Sequence, residues 1–148
     1  MVKDIPINEI ILRKYERPYN LSKRDLMKKI CLSLGLLQSG DSRDVIVDIL
    51  YVLVEERKNK NKLDSETIKN RVEELRKKHN LEIKGLAESN IRRQLKRLRD
   101  LMIIEKHNNL YNLSEFESLD KIFEDKIHKF IITPNVERIK EYLREAEK

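Results

Sequence analysis

The chain has 148 residues, 39% of them charged and 39% hydrophobic, with a formal net charge of +6 and a pI near 9.3. That fits one domain with small extensions, and the apolar share is too high for a disordered chain. The lone cysteine, Cys31, excludes a disulfide framework, no run approaches the ~18 apolar residues of a membrane span, and the opening MVKDIPINEI is not a signal peptide; a soluble, cytoplasmic chain with a polyanion-compatible surface is expected.

The charge is uneven. Residues 1–30 hold eight basic against four acidic residues, residues 84–107 hold seven against three, residues 41–83 hold ten of each, and residues 114–148 hold seven against nine. The basic excess therefore sits at the amino end and around residues 84–107. The bias toward Lys, Glu and Ile, with three Gly, three Pro and no Trp, is of a thermophile-like kind.

In chain order, Pro6 to Tyr15 has isoleucines (Ile7, Ile10, Ile11) spaced for a short helix that Pro18 ends. Ser22 caps a helix with Leu26, Ile30 and Leu34 on one side, and Gly35 stops it. Lys23, Arg24, Lys28 and Lys29 on that helix are either polyanion contacts or a solvated face. Gln38 to Ser42 is turn chemistry, with Asp41 or Ser42 capping a helix from about Arg43 to Lys58. The apolar stripe of that helix is wide (Val45, Ile46, Ile49, Leu50, Leu53, Val54), so it should be central and packed on several sides. A polar connector follows, and Asp64 or Ser65 caps a helix from about Glu66 to His79 with Ile68, Val72 and Leu75 inward.

Ser89 to Met102, SNIRRQLKRLRDLM, is the most informative stretch. Ile91, Leu95, Leu98 and Met102 recur at helical spacing, and Ser89 is the expected N-cap. With Ile91 at zero and about 100° per residue, Lys96 falls at about 140°, Ser89 at about 160° and Arg93 at about 200°, away from the apolar stripe. From Ser89 to Arg99 the charges are Arg92, Arg93, Lys96, Arg97 and Arg99, with no acid among them. Ordinary solvated faces mix signs into i,i+4 pairs. Five like charges on three turns repel one another and call for an anion to neutralise them.

After Leu101 the period changes. Ile103 to Lys106 and Leu110 to Leu113 read as two strands around a His107-Asn108-Asn109 turn. Ser114 then caps a helix to about Phe130, Thr133-Pro134 breaks it, and a last helix runs from about Asn135 to Ala146. Phe116, Ile122, Phe123, Phe130, Ile131, Tyr142 and Leu143 are either the rest of a monomer core or a homodimer surface.

The order helix, connector, helix, turn, basic amphipathic helix, hairpin resembles a winged helix-turn-helix domain, and IRRQLKRLRDLMIIEKHNNLYNL resembles that family's passage from recognition helix into wing. The chain is similar to archaeal winged-helix transcription regulators of the euryarchaeal archaellum-regulator type, although many winged helices carry Gly where this chain has Met102. The resemblance implies a mainly α fold with a small β-hairpin. It divides the chain into an N-terminal helical extension (1–40), a winged helix-turn-helix domain (41–113) and a C-terminal helical segment (114–148) that is a candidate for dimerisation. It also implies that Ser89 to Asp100 enters the major groove of double-stranded DNA and that residues 66–79 lie across the groove. By residue chemistry Ser89, Asn90, Arg93 and Lys96 are assigned to base edges, and Arg92, Arg97 and Arg99 to phosphates. Lys106, His107 and Asn109 are assigned to the wing, for which a plain solvated hairpin tip is the competing reading.

An enzyme is not expected. His79, His107 and His128 lie in different elements, and with one cysteine they give no metal-ligand spacing. Cys31 reads as a small core residue. The glycines are isolated, so no phosphate loop is present, and adjacent carboxylates such as Glu55-Glu56 diverge on helix faces. No cofactor or metal is expected. The alternative to DNA binding is a protein–protein or RNA interaction module on the same fold.

Overall fold

The computed structural model describes residues 4–148. It is mainly helical with a small antiparallel sheet. The elements are α1 (Lys23–Ser33), α2 (Val45–Glu56), β1 (Leu63–Asp64), α3 (Ser65–Lys78), α4 (Glu88–Asp100), β2 (Ile104–His107), β3 (Leu110–Leu113), α5 (Leu119–Ile122) and α6 (Thr133–Ala146). The sheet order is β1-β3-β2. Among the described residues no helix is long and apolar enough to cross a membrane.

Helix α2 is the hub, as its wide stripe predicts. Ile46, Val47, Ile49, Leu50 and Leu53 are all buried, and α1, α3, α4 and β3 pack around it. Buried Ile68 and Val72 of α3, and Ile91, Leu95 and Leu98 of α4, complete one core. Ser22 caps α1 by accepting the Asp25 amide, and Asp64 caps α3 by accepting the Thr67 amide. α2 starts later than predicted, at Val45, and neither Asp41 nor Ser42 caps it. Its N-cap is Asp44, whose carboxylate is drawn away to two arginines described below.

Three helices end in the same way. The amides of Leu36, Leu81 and Ile103 each reach back five residues, to the carbonyls of Cys31, Arg76 and Leu98. The residue before each, Gly35, Asn80 or Met102, takes a positive φ. This is the Schellman closure, which favours Gly or Asn. Met102 supplies the turn from helix to hairpin without a glycine, at φ 65°. Gly35 has a second constraint, because a Cβ there would collide with the Glu9 carbonyl oxygen.

Several expectations fail for identifiable reasons. Residues 6–15 are not helical. Ile7, Ile10 and Ile11 find no core to bury against and stay exposed, so an isolated turn or two of helix has nothing to stabilise it. The segment is instead pinned where the Asn8 side chain donates from Nδ2 to the Leu34 carbonyl. Asp64 caps α3 as expected, but Leu63-Asp64 also forms an unexpected short strand paired with Leu110-Tyr111. The hairpin turn is two residues, not three. Asn108 and Asn109 both take positive φ, as a type I′ turn requires, and His107 is thereby the last residue of β2, opposite Leu110.

Ser114 caps no long helix. Its hydroxyl donates to the Met102 carbonyl and its amide to the Ile103 carbonyl, closing the sheet, and the next helix waits until Leu119. Thr133-Pro134 does not break the chain's last helix. Residues Phe123–Ile132 wind more widely, and the Thr133 amide reaches back five residues to the His128 carbonyl. That winding leaves room for a proline ring that would otherwise meet the carbonyl four residues back. α5, the widened stretch and α6 form one continuous rod. Its first half joins the core through buried Ile122 and Ile127, whereas no residue of α6 is buried.

Candidate nucleic-acid interface

The interface begins with what holds α4 in place. Two aspartates one turn apart, Asp44 at the N-cap of α2 and Asp48 within it, face two buried arginines from other helices. Arg24 of α1 donates from Nε to Asp48 at 2.9 Å and from Nη2 to Asp44 and Asp48 at 3.1 Å each. Arg76 of α3 donates from Nη1 to Asp48 at 2.7 Å and to Asp44 at 2.9 Å, and from Nε to the Glu82 carbonyl at 2.7 Å. Asp48 is fully buried and Arg76 nearly so. The square is charge-balanced, so three helices are locked at one point and the α3–α4 loop is tied to it at Glu82. Burial acts to raise the Asp44 carboxyl and to lower the Arg24 guanidinium. The bonds between them and to Arg76 and Asp48 win in each case, holding Asp44 below the usual carboxylate range and Arg24 above the usual guanidinium value.

Sequence reading missed this square and placed Arg24 on a surface. Two signals were there to find. Asp44 and Asp48 interrupt the apolar stripe of α2, and Arg76 continues the Ile68–Val72 line one turn further on. Acids and a base on apolar stripes must be paired to be buried.

α4 begins at Glu88 with Ala87 at its N-cap, so the predicted cap, Ser89, is instead an exposed residue of the first turn. The entry is fixed by Asn90. Its Nδ2 donates to the Gly85 carbonyl at 2.7 Å, and its Oδ1 accepts from Arg93 Nη2 at 2.8 Å and Gln94 Nε2 at 3.1 Å. Gly85, at φ +75°, packs so closely against the Val45 side chain and the Asn90 amide that a Cβ would crowd both. The apolar side of α4, Ile91, Leu95 and Leu98, is fully buried.

Its outward side carries Arg92, Arg93, Lys96, Arg97 and Arg99, all exposed. The acid-free run is bracketed by acids that fold back on it. Arg92 pairs with Glu88 at 2.7 Å and Lys96 with Asp100 at 3.0 Å. Such exposed pairs contribute about 1 kcal/mol or less and are readily exchanged for another anion. Arg97 donates to the Leu36 carbonyl and to Gln94 Oε1, both at 2.8 Å, so it also straps α4 to the loop after α1. Among the described residues no carboxylate pairs with Arg93, Arg97 or Arg99, and Ser89 and Arg99 make no side-chain hydrogen bond at all.

The hairpin follows directly. Lys106 lies with its ammonium 5.8 Å from the centre of the Tyr111 ring. His107, Asn108 and Asn109 are exposed. His107 Nε2 is 3.8 Å from the Glu105 carboxylate. Glu105 itself is turned inward. Burial acts to raise its carboxyl, but bonds from the Asn112 side chain and the Glu115 amide hold it below the usual range. Cys31 is fully buried, and burial pushes its thiol up to about 12, so it packs and does not react.

Of the ten predicted site residues, seven therefore share α4 and three the adjoining hairpin. Asn90 and Arg97 double as internal fasteners. No family model, curated protein or solved structure matches the chain.

Proposed function

We propose that the protein is a cytoplasmic transcription regulator that binds double-stranded DNA through a winged helix-turn-helix, α3 and α4 being the helix-turn-helix pair and β2–β3 the wing. The observation that carries this reading is the outward side of α4, where three arginines have no carboxylate partner among the described residues while the opposite side is fully buried. A helix fits the roughly 12 Å major groove, and guanidinium forks suit guanine edges and phosphates. In this reading Ser89, Asn90, Arg93 and Lys96 meet base edges. Arg92, Arg97 and Arg99 meet phosphates, and Lys106, His107 and Asn109 touch the flanking backbone. Asn90 and Arg97 exchange internal hydrogen bonds for contacts to the duplex on binding.

The test is selection of bound duplexes from a random pool at several salt concentrations. A recovered motif, with log K falling against log salt by about 0.9 per phosphate neutralised, is expected. A pool that enriches nothing and a flat salt response would transfer the reading to a protein- or RNA-interaction module.

We further propose that α6 pairs with α6 of a second copy. Val136, Ile139, Leu143 and Ala146 follow the 3,4 spacing of a coiled-coil seam, with Tyr142 beside it. Val136 is 43% exposed, Ile139 57% and Leu143 61%. In a parallel pair the flanking positions would set Asn135 near the partner's Lys140 and Tyr142 near the partner's Glu147, with no like charges opposed. Ile139→Glu should convert a dimeric mass in light scattering to a monomeric one, and a wild-type monomer at high concentration would reject the pairing.

A further inference from the structure

A cavity of about 690 Å³ opens beside the amino-terminal half of α4, between the loop before α2 and the loop before α4. Its floor is the buried Asp44–Arg76 pair, and Arg43, Lys84, Arg93 and Arg97 surround it. Lys84 is paired with Glu82, which also reaches the cavity. Among the described residues Arg43, Arg93 and Arg97 have no carboxylate partner. Arg93 and Arg97 stand one turn apart on α4, an arrangement of like charges that is unfavourable until an anion joins them. The one further acid at the wall, Asp41, has an oxygen engaged by the Arg43 backbone amide at 2.9 Å. Outside the balanced floor the lining therefore carries Arg43, Lys84, Arg93 and Arg97 against Asp41 and Glu82, an excess of two positive charges.

We propose that this cavity binds a small phosphomonoester of about mononucleotide size. Two excess charges match a phosphate dianion, which carries about −1.5 to −2 at neutral pH. Three guanidinium forks from two separate segments suit the several faces of a tetrahedral phosphate better than the single plane of a carboxylate. Two features preorganise the site. Arg97 is held by the Leu36 carbonyl and Gln94, and the Arg76 floor by two aspartates. The volume lies within the range of small-molecule sites, and buried Leu36 and Val45 give an apolar wall for the body of the ligand. Because Arg93 and Arg97 also belong to the proposed DNA surface, an occupied cavity should weaken duplex binding. That last clause rests on the DNA-binding reading; occupancy itself does not.

The experiment is calorimetric titration of the full chain with AMP, inorganic phosphate and adenosine, repeated on Arg43→Ala/Lys84→Ala. Neither residue is assigned to the DNA surface, and both are exposed, so the variant should fold. The expected result is binding of AMP, weaker binding of phosphate, none of adenosine, and at least about a tenfold loss of AMP affinity in the variant. AMP should also lower the affinity of a selected duplex for the wild type. No heat with AMP up to millimolar concentration, or equal AMP affinity in the variant, would overturn the proposal. Loss of duplex affinity in the variant with no AMP binding would overturn it too, assigning the cavity to a nucleic-acid phosphate. If AMP binds and no duplex does, the cavity stands and the DNA reading falls.

Discussion

Helices α4 and α6 are of nearly equal length, 13 and 14 residues, and both are amphipathic, yet they use their two faces in opposite ways. In α4 the apolar stripe is fully buried and the polar side is basic, with arginines that no carboxylate among the described residues neutralises. In α6 the stripe is exposed, and the polar side balances its own charges, Arg138 with Glu141 and Lys140 with Glu137. A helix that has satisfied its apolar side internally offers charge to a partner. One that has satisfied its charges internally offers apolar surface. The same sequence pattern thus yields two kinds of exposed surface, according to which face the rest of the chain covers.

The strongest way to break this contrast is to remove the support under α4. Asp48→Asn leaves two buried guanidinium groups undercompensated and should cost about 3–5 kcal/mol in urea unfolding. The same network predicts a pH dependence. Asp44 is held below the usual carboxylate range chiefly by Arg76 and Arg24, against burial. A depressed native value contributes stability that is complete above the unfolded value, about 3.9, and is lost as pH falls through the native one. The urea midpoint of the wild type should therefore drop below about pH 4, and Asp44→Asn should flatten part of that drop; parallel curves for the two proteins would contradict it.

A second comparison is direct. Leu95→Ala on α4 should cost about 2–5 kcal/mol, whereas Leu143→Ala on α6 should change the stability of a dilute monomer by no more than about 0.5 kcal/mol. Equal losses would mean that α6 packs on the core. On a selected duplex, Arg93→Ala should cost about 1–3 kcal/mol and relax the sequence preference; a uniform loss across sequences would reassign Arg93 to a phosphate. A stabilising effect is expected at the end of α4. Met102 sits at φ 65°, so Met102→Gly should stabilise the fold by about 1 kcal/mol, measured as a rise in Tm.

Much of the fold was legible because it rests on local rules. The Ser22 cap, the buried Ile91, Leu95 and Leu98 line and the place of the hairpin turn, one residue shorter than expected, each follow from residue chemistry within a few positions. The misses are non-local. β1 is two residues long and exists only because Tyr111 and Leu110 arrive beside it. Ser114 opens no long helix; its hydroxyl donates to the Met102 carbonyl, 12 residues earlier, at the closure of the sheet. Thr133-Pro134 stops no helix because the winding widened before it.

The sequence by itself determined where amphipathic helices lie, which side of α4 is basic, and that the chain turns from helix to hairpin near Met102. Hydrogen-bonding periodicity and turn preferences act over a few residues, and composition records them. Tertiary structure alone decided which charges are free. Arg24 and Arg76 carry the same charge as Arg93 and Arg99, and only the place of Arg76, Asp44 and Asp48 on apolar stripes hints at a difference. Arg24 and Arg76 are buried against Asp44 and Asp48, whereas Arg93 and Arg99 face outward with no carboxylate partner among the described residues. Pairing is a matter of distance in space, and the partners of Arg24 and Arg76 lie 20 to 32 residues away along the chain.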